Sequence, residues 1–403
     1  MNVSVEEQLR IIASGSEKIV PVEDLKKKLE QGRPLNIKLG VDPTSPDLHL
    51  GHAVPLQKMR QFQDLGHQVT LIIGNGTALI GDPSGKNTTR PQLTSEQIEA
   101  NAQTYVEQAM KVLDPEKTNV VHNGDWILSL DLKGLLEVCS KFTVARILER
   151  DDFTKRYTNH TPIALHEFLY PVMQAYDSVM IKADVEMGGT DQLFNLLAGR
   201  ELMEKMGLEP QVALCMPLLE GTDGVRKMSK SYGNYVGLTD APDDMFGKVM
   251  SIPDNMIVRY YRLATQLPVA EIDAIEASLV AGEGDPNQLK RRLAREIIAI
   301  YHTPEDAVEA EEAFNRVHKN HEMPEEIDEF ATDLSGDVYL PGLLNEVGFA
   351  GSAGEGRRLI DGGGIKIAGE AVAPKTYNVA GSLLNGQVLQ AGKRRFVRVV
   401  ACS

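Results

Sequence analysis

Two short clusters carry side chains suited to holding a negatively charged group. The first is K-L-G-V-D-P-T-S-P-D-L-H-L-G-H, Lys38 to His52, which sets His49 and His52 three residues apart. Apolar Leu35–Val41 reads as a strand, Pro43 and Pro46 break it, and a helix restarts at about Leu50. Unpaired amide N–H groups and the dipole at a helix N-terminus favour phosphate, so both histidines are candidate phosphate contacts. An isolated His-x-x-His is equally compatible with a metal pair or with two surface histidines. The second cluster is R-K-M-S-K-S-Y-G-N, Arg226–Asn234, which follows the turn Gly221–Gly224 and carries Lys227 and Lys230. A third stretch, G-N-G-T-A-L-I-G-D-P-S-G-K (Gly74–Lys86), only imitates a Walker A loop. Ile80 stands where its first glycine is required, and Asn87 replaces the Ser/Thr after Lys86.

These clusters need a scaffold, and the hydrophobic pattern supplies one. Strand Leu35–Val41, helix Gly51–Leu65 and strand Gln68–Ile73 form a β-α-β unit whose continuous apolar runs predict strands buried on both faces. A helix is expected from about Ser95 to Val112, with Thr94 and Gln97 at capping-box spacing. Further strands at Thr118–Val121, Ala183–Met187 and Val212–Leu219 alternate with helices over Leu132–Glu149, Ile163–Tyr176 and onward to Met206. This alternation predicts a doubly wound, Rossmann-like parallel sheet over residues 1–235, with ligands at the C-terminal strand ends. Past Asp240 the pattern is helical to about residue 320. One of these helices carries Lys290, Arg291, Arg292 and Arg295, readable as a solvated face or an RNA contact. Residues 321–337 hold seven acids and no Lys or Arg, and read as a linker; residues 338–403 read as a small α+β module.

At 403 residues the chain is long enough for two or three domains. Its apolar fraction of 42% and charged fraction of 25% are those of a soluble globular protein. No apolar run reaches the length of a membrane span, and the acidic start M-N-V-S-V-E-E lacks a signal-peptide pattern. Cys139, Cys215 and Cys402 are scattered with no C-x-x-C, which fits a reducing cytoplasm and argues against a structural metal. The net charge of −15 is uneven. From Val338 onward eight basic residues, Arg357, Arg358, Lys366, Lys375, Lys393, Arg394, Arg395 and Arg398, face four acids. A basic module on an acidic body is the electrostatic footprint of a nucleic-acid contact.

D-L-H-L-G-H and K-M-S-K-S on one α/β domain resemble the paired signatures of class I aminoacyl-tRNA synthetases. D-P-T (Asp42–Thr44), L-I-G-D-P-S-G (Leu79–Gly85), Y-P-V-M-Q-A-Y-D (Tyr170–Asp177) and G-G-T-D-Q (Gly188–Gln192) are similar to the tyrosyl branch. The resemblance runs nearly end to end and is closest to the bacterial subgroup whose C-terminal domain is like ribosomal protein S-four. It implies an ATP-dependent tyrosine–tRNA ligase that forms tyrosyl-adenylate and then charges tRNA(Tyr). ATP would arrive as a substrate with Mg2+, and no structural metal is implied. A cytoplasmic homodimer without membrane attachment is expected, with a dimer and acceptor-stem insertion near residues 120–180 and a helical anticodon-binding domain over residues 236–320.

Carried over position by position, His49, His52, Lys227 and Lys230 would stabilise charge on the phosphates during adenylate formation. Gly40, Asp42, Thr44, Gly51, Gly189, Asp191, Met228 and Ser229 would surround ATP. Asp82, Tyr170 and Gln174 would hold the α-ammonium of tyrosine, Asp177 its phenolic O–H, and Gln192 the carboxylate side. Lys38 stands where the better-known subgroup has a second tyrosine beside the substrate hydroxyl, so it is a candidate phenol contact, with a lysine that points elsewhere as the alternative. Arg357, Arg358, Lys393, Arg394 and Arg395 would contact RNA phosphates. Two alternatives fit less of the chain. A tryptophanyl enzyme would be expected to lack D-P-T and G-G-T-D-Q, and a non-catalytic RNA-binding relative would be expected to have lost the histidines or lysines.

Overall fold

A computed structural model describes residues 3–43, 47–83, 94–318, 327–392 and 395–402. Thr44, Lys393 and Arg394 lie outside the described residues. Contacts divide the chain into two compact units, Met1–Ala307 and Val308–Ser403.

The first unit is built on six strands: β1 (Lys18–Val20), β2 (Asn36–Val41), β3 (Gln68–Ile73), β4 (Thr118–His122), β5 (Val185–Gly189) and β6 (Val212–Met216). Their order is β1-β6-β5-β2-β3-β4, parallel throughout except for antiparallel β1 at one edge. β2 to β4 grow in one direction and β5 and β6 in the other, which puts the switch point between β2 and β5. An α/β sheet opens its ligand crevice at that position. β3, β5 and β6 are buried along nearly their whole length and β2 over Ile37–Leu39, as interior strands covered on both faces are.

The expected helices are present, with some boundaries moved. Helix Ser95–Ala109 has its capping box, with Thr94 N bonded to Gln97 Oε1 at 2.9 Å. The expected Leu132–Glu149 helix is two, Leu132–Cys139 and Val144–Leu148, because Thr143 caps the second by accepting from Arg146 N. The segment from Ile163 begins as a 3-10 turn and becomes α-helical only over Leu169–Ile181. Helix Ile257–Ala264 packs on Leu50–Asp64 within this unit. The basic helix Pro286–Tyr301 has its cations occupied internally. Lys290 pairs with Asp254 at 2.6 Å, Arg292 with Glu271 at 2.5 Å, and Arg291 donates to Asn287. That favours a structural role over an RNA contact.

The second unit has a five-stranded sheet, order β10-β9-β12-β13-β7, beside the pair β11-β8. Its strands are β7 (Glu329–Thr332), β8 (Asp337–Tyr339), β9 (Ile365–Ile367), β10 (Glu370–Ala371), β11 (Asn378–Ala380), β12 (Val388–Ala391) and β13 (Arg395–Ala401). Helices Leu340–Glu346 and Ala353–Asp361 cover a core that includes Leu344, Ile360, Ile365, Leu384 and Val399. The basic tail is therefore a folded module. The acidic linker needs correcting in its described part, because β7 runs parallel to β13 and Phe330 packs on this core. Acids on an exposed edge strand suppress unwanted pairing, and they also disguise the strand in the sequence.

Candidate active site

A cavity of about 1480 Å³ opens at the switch point, lined by the C-terminal ends of β2 and β5 and by helix Leu169–Ile181. Spacings of three and four residues put Tyr170, Gln174 and Asp177 on one face of that helix, and all three line the cavity. Gly40, Asp42, Gly51, His52, Asp82, Gly189 and Gln192 line it too.

Asp177 is only 2% exposed and accepts two hydrogen bonds, from Trp126 Nε1 at 2.8 Å and Asn123 Nδ2 at 3.2 Å. Burial pushes its carboxyl up to about 6, while the Lys38 charge and these two donors pull it down. Asp42 accepts from Tyr170 OH and from Thr77 Oγ1, each at 2.8 Å. Burial pushes the Asp42 carboxyl up to about 7 against those two hydrogen bonds, and the negative charges of Asp82 and Asp177 add to the rise. Burial also raises the Tyr170 hydroxyl well above its ordinary value, so it stays a donor. A Cβ at Gly74 would collide with the Asp42 carboxylate, which is why the turn after β3 is glycine there.

Asp82 pairs with Arg150 Nη2 at 2.8 Å and accepts from Gln192 Nε2 at 3.2 Å. Asn195 donates to Gln174 Oε1 at 2.9 Å and to Gln192 Oε1 at 2.8 Å. Gln192, Asn195 and Gln174 therefore present fixed amide orientations. Lys38 does not join them. It is fully buried, and its ammonium is bonded to Glu186 Oε1, Ser178 Oγ and the Gln174 carbonyl at 2.8, 2.7 and 2.9 Å. An ammonium has three protons, so none is left for a phenol. The expected contact of Lys38 with the substrate hydroxyl is corrected on that geometry.

The two signatures meet at the other end of the cavity. His49 is the N-cap residue of helix Leu50–Asp64, and its ring stacks on His52 with centroids 3.8 Å apart. His49 N donates to His52 Nδ1 at 3.3 Å, and His49 Nδ1 is buried with no hydrogen-bond partner. Burial, then the nearby positive charges of His52 and Lys230, lowers His49 to about 3. Burial and Lys230 lower His52 to about 4. Both imidazoles are thus neutral near pH 7, each offering one N–H. Among the described residues no group of three His, Cys, Asp or Glu is arranged to hold a metal ion.

The loop after β6 is stitched to this helix start. Leu50 N bonds to Val236 O and Leu238 N to Leu48 O, each at 3.0 Å. A Cβ on Gly51 would lie 3.0 Å from the His49 ring and 3.5 Å from Met228 Cβ. Asn234, 4% exposed, accepts from Ser229 N at 2.9 Å and donates to Asp223 Oδ2 at 2.9 Å. Gly233 closes the turn at φ +65°, a left-handed conformation that suits glycine. Lys227 is exposed, and Lys230 reaches Asp47 Oδ2 at 2.6 Å. Neither lysine lines the cavity; nor do His49, Asp191, Met228 and Ser229. In the second unit, exposed Arg357 donates to Tyr339 OH at 2.8 Å, Arg358 is exposed, and exposed Arg395 donates to Phe349 O at 2.5 Å.

Asn123, Trp126, Arg150, Asn195 and Asn234 went unnoticed in the sequence. A weak signal existed for the first two, which follow directly on β4 at the C-terminal edge of the sheet. Arg150 reaches the cavity residue Asp82, and Asn195 the cavity residue Gln174, by tertiary packing alone.

A doubly wound sheet with polar loops at its switch point defines a nucleotide-binding enzyme domain, and comparison with known proteins narrows it. The family described as tRNA synthetases class I (W and Y) matches residues 30–319. A tyrosine–tRNA ligase of Moorella thermoacetica is 53% identical, covering 98% of this chain and 96% of its own. One of Geobacter sulfurreducens is 49% identical, covering 98% and 99%. A truncated mitochondrial tyrosyl-tRNA synthetase of Aspergillus nidulans superposes with TM-score 0.65 at 22% identity, covering 78% of this chain and 94% of its own. The Archaeoglobus fulgidus tyrosyl-tRNA synthetase complexed with L-tyrosine gives 0.61 at 23%, covering 76% and 99%. At those identities the two structures support the fold. The chain belongs to the class I tRNA synthetases, in the family of tyrosine–tRNA ligases.

Proposed function

We propose that this cavity binds tyrosine with its phenol against Asp177 and its ammonium among Tyr170, Gln174 and Asp82, and joins it to AMP drawn from ATP. The observation that carries this reading is Asp177, a buried acceptor fixed by Trp126 and Asn123 on the same helix face as Tyr170 and Gln174. The tyrosine carboxylate oxygen attacks the α-phosphorus of ATP, which enters as its Mg2+ complex. The new C–O–P linkage forms as the bond to the β-phosphate oxygen breaks, and pyrophosphate leaves. Neutral His49 and His52 donate N–H to the developing phosphoryl charge, and Lys227 and Lys230 swing in over pyrophosphate. Such donors contribute most when aimed at charge that grows in the transition state. Asp42, expected at the nucleotide, accepts from Tyr170 OH, which supports a role for it at the tyrosine end of the cavity. A terminal ribose hydroxyl of tRNA(Tyr) then attacks the tyrosyl carbonyl and AMP departs.

Phenylalanine in this pocket leaves Asp177 without its partner. Tyrosyl enzymes themselves set the scale of such rejection, about 10⁴–10⁵-fold, a figure from the family and not from this geometry. The second unit would hold tRNA through Arg357, Arg358 and Arg395, with Lys393 and Arg394 beside them in sequence. Leu128, Leu132, Leu136 and Val144 are 60–71% exposed, an apolar surface that suits the face of a homodimer. No helix among the described residues is long and apolar enough to cross a membrane; a cytoplasmic setting accords with the free thiols of Cys139, Cys215 and Cys402.

The test is ATP–pyrophosphate exchange with tyrosine, tryptophan and phenylalanine. Exchange with tyrosine alone is expected, and exchange driven by tryptophan would reassign the pocket.

A further inference from the structure

Lys38 and Glu186 face each other in register on β2 and β5, 0% and 1% exposed, beneath the cavity floor. The Lys38 ammonium bonds to Glu186 Oε1, to Ser178 Oγ and to the Gln174 carbonyl. Gln174 and Ser178 lie one turn apart on helix Leu169–Ile181, and Asp177 stands between them. Glu186 grips the same helix through both oxygens, Oε1 accepting from Gln174 Nε2 at 3.2 Å and Oε2 from Ser178 Oγ at 3.1 Å. Gln211 Nε2 also donates to Glu186, so the carboxylate is satisfied without water. The chain of contacts continues from Gln174 through Asn195 to Gln192 and Asp82.

We propose that Lys38 and Glu186 form a positioning pair that fixes helix Leu169–Ile181 on the sheet, and so sets Gln174 and Asp177 against tyrosine. This rests on the assignment of those two residues to tyrosine. Apolar packing alone holds the spacing of a helix from a sheet but tolerates sliding along its axis. A buried ion pair does not tolerate it, because any slide leaves a charge or a donor unpaired where the dielectric is low. The sheet register places a lysine opposite a glutamate on adjacent parallel strands, and the helix they hold carries three groups assigned to tyrosine. Lys38 and Glu186 touch no substrate and act through Gln174 and Ser178.

The experiment uses the full-length protein carrying Lys38→Met together with Glu186→Gln, which removes both charges and leaves neither orphaned. Tyrosine affinity is measured by equilibrium dialysis, the KM for ATP by pyrophosphate exchange, and the preference for tyrosine over phenylalanine from both. Tyrosine binding should weaken roughly tenfold to a hundredfold, the scale of a displaced positioning contact, and the preference should fall with it. The KM for ATP should stay unchanged. A folded double variant with normal tyrosine affinity and preference overturns the proposal, and so does equal weakening of tyrosine and ATP. If circular dichroism shows that variant unfolded, Lys38→Leu with Glu186→Gln, a second neutral replacement of the pair, is read by the same measurements and the same criteria. Asp177→Asn is run in parallel. Tyrosine affinity indifferent to Asp177→Asn overturns the pocket assignment and this inference together. Sensitivity to Asp177→Asn with an unaffected double variant overturns the inference alone.

Discussion

The indole N–H of Trp126 is bonded to Asp177 Oδ1 at 2.8 Å, and Trp126 is the single tryptophan of the chain. Its emission therefore reports on the carboxylate assigned to the phenol. Saturating tyrosine should shift that emission, and ATP alone should not. Trp126→Phe removes a donor to a charged acceptor, a bond that contributes about 1.5–3 kcal/mol, and should weaken tyrosine by at least about tenfold. Unaltered affinity in that variant would remove Trp126 from any part in recognition.

Lys230 pairs with Asp47 and lies 6.0 Å from the centre of the Tyr235 ring, and both charged side chains are substantially exposed. Exposed ion pairs of this kind contribute little, so the lysine is free to leave for a phosphate. Lys230→Ala should lower the rate of adenylate formation by about 10²–10³-fold with tyrosine affinity nearly unchanged. Equal losses in rate and affinity, measured by stopped flow and dialysis, would take Lys230 out of the transition state.

Asp42 at about 7 and Asp177 at about 6 bring the site into its anionic, accepting form only as pH rises. The kcat/KM for tyrosine should climb through pH 6–7 and level off above, with apparent values belonging to the coupled pair. Asp42→Asn should leave one step near 6. The folded state holds these protons more tightly than the unfolded chain does, so both groups reduce stability as pH rises through their range. Asp42→Asn should accordingly melt higher than the parent at pH 8. An acid limb lying near pH 4 in the parent would contradict the assignment.

Removing residues 327–403 should leave tyrosine-dependent exchange intact and weaken tRNA charging severalfold or more. Undiminished charging would show that the second unit is not a tRNA contact. Cutting at residue 338 is a different experiment, because it strands β7 without β13 and should yield aggregation-prone protein by light scattering.

Much of this was legible because strand and helix periods, proline breaks and glycine turns are local signals. The sheet and both signatures followed from them, and the resemblance supplied residue roles that the cavity then brought together at Tyr170, Gln174, Asp177, Asp82 and Gln192. Lys38 stayed open between two readings because a lysine in a strand looks the same whether its ammonium faces a ligand or a glutamate far along the chain. Glu186, which answers it, lies in a short strand beside another acid, Asp184, with nothing local to mark it as the partner. β7 was hidden by acids whose side chains belong to an exposed edge, and only pairing with the chain's last strand reveals it. Asn123, Arg150 and Asn195 do their work across distances in sequence that no periodicity spans.

β13 is an interior strand of the second unit, lying between β12 and β7, and it follows both of them in the chain. β7 has no neighbour in that sheet until β13 arrives, and β12 lacks one of its two. The first unit can condense while the ribosome is still working, as N-terminal domains generally do. The five-stranded sheet must wait for β13, so a chain cut short of Arg395 leaves β7 with no partner in it.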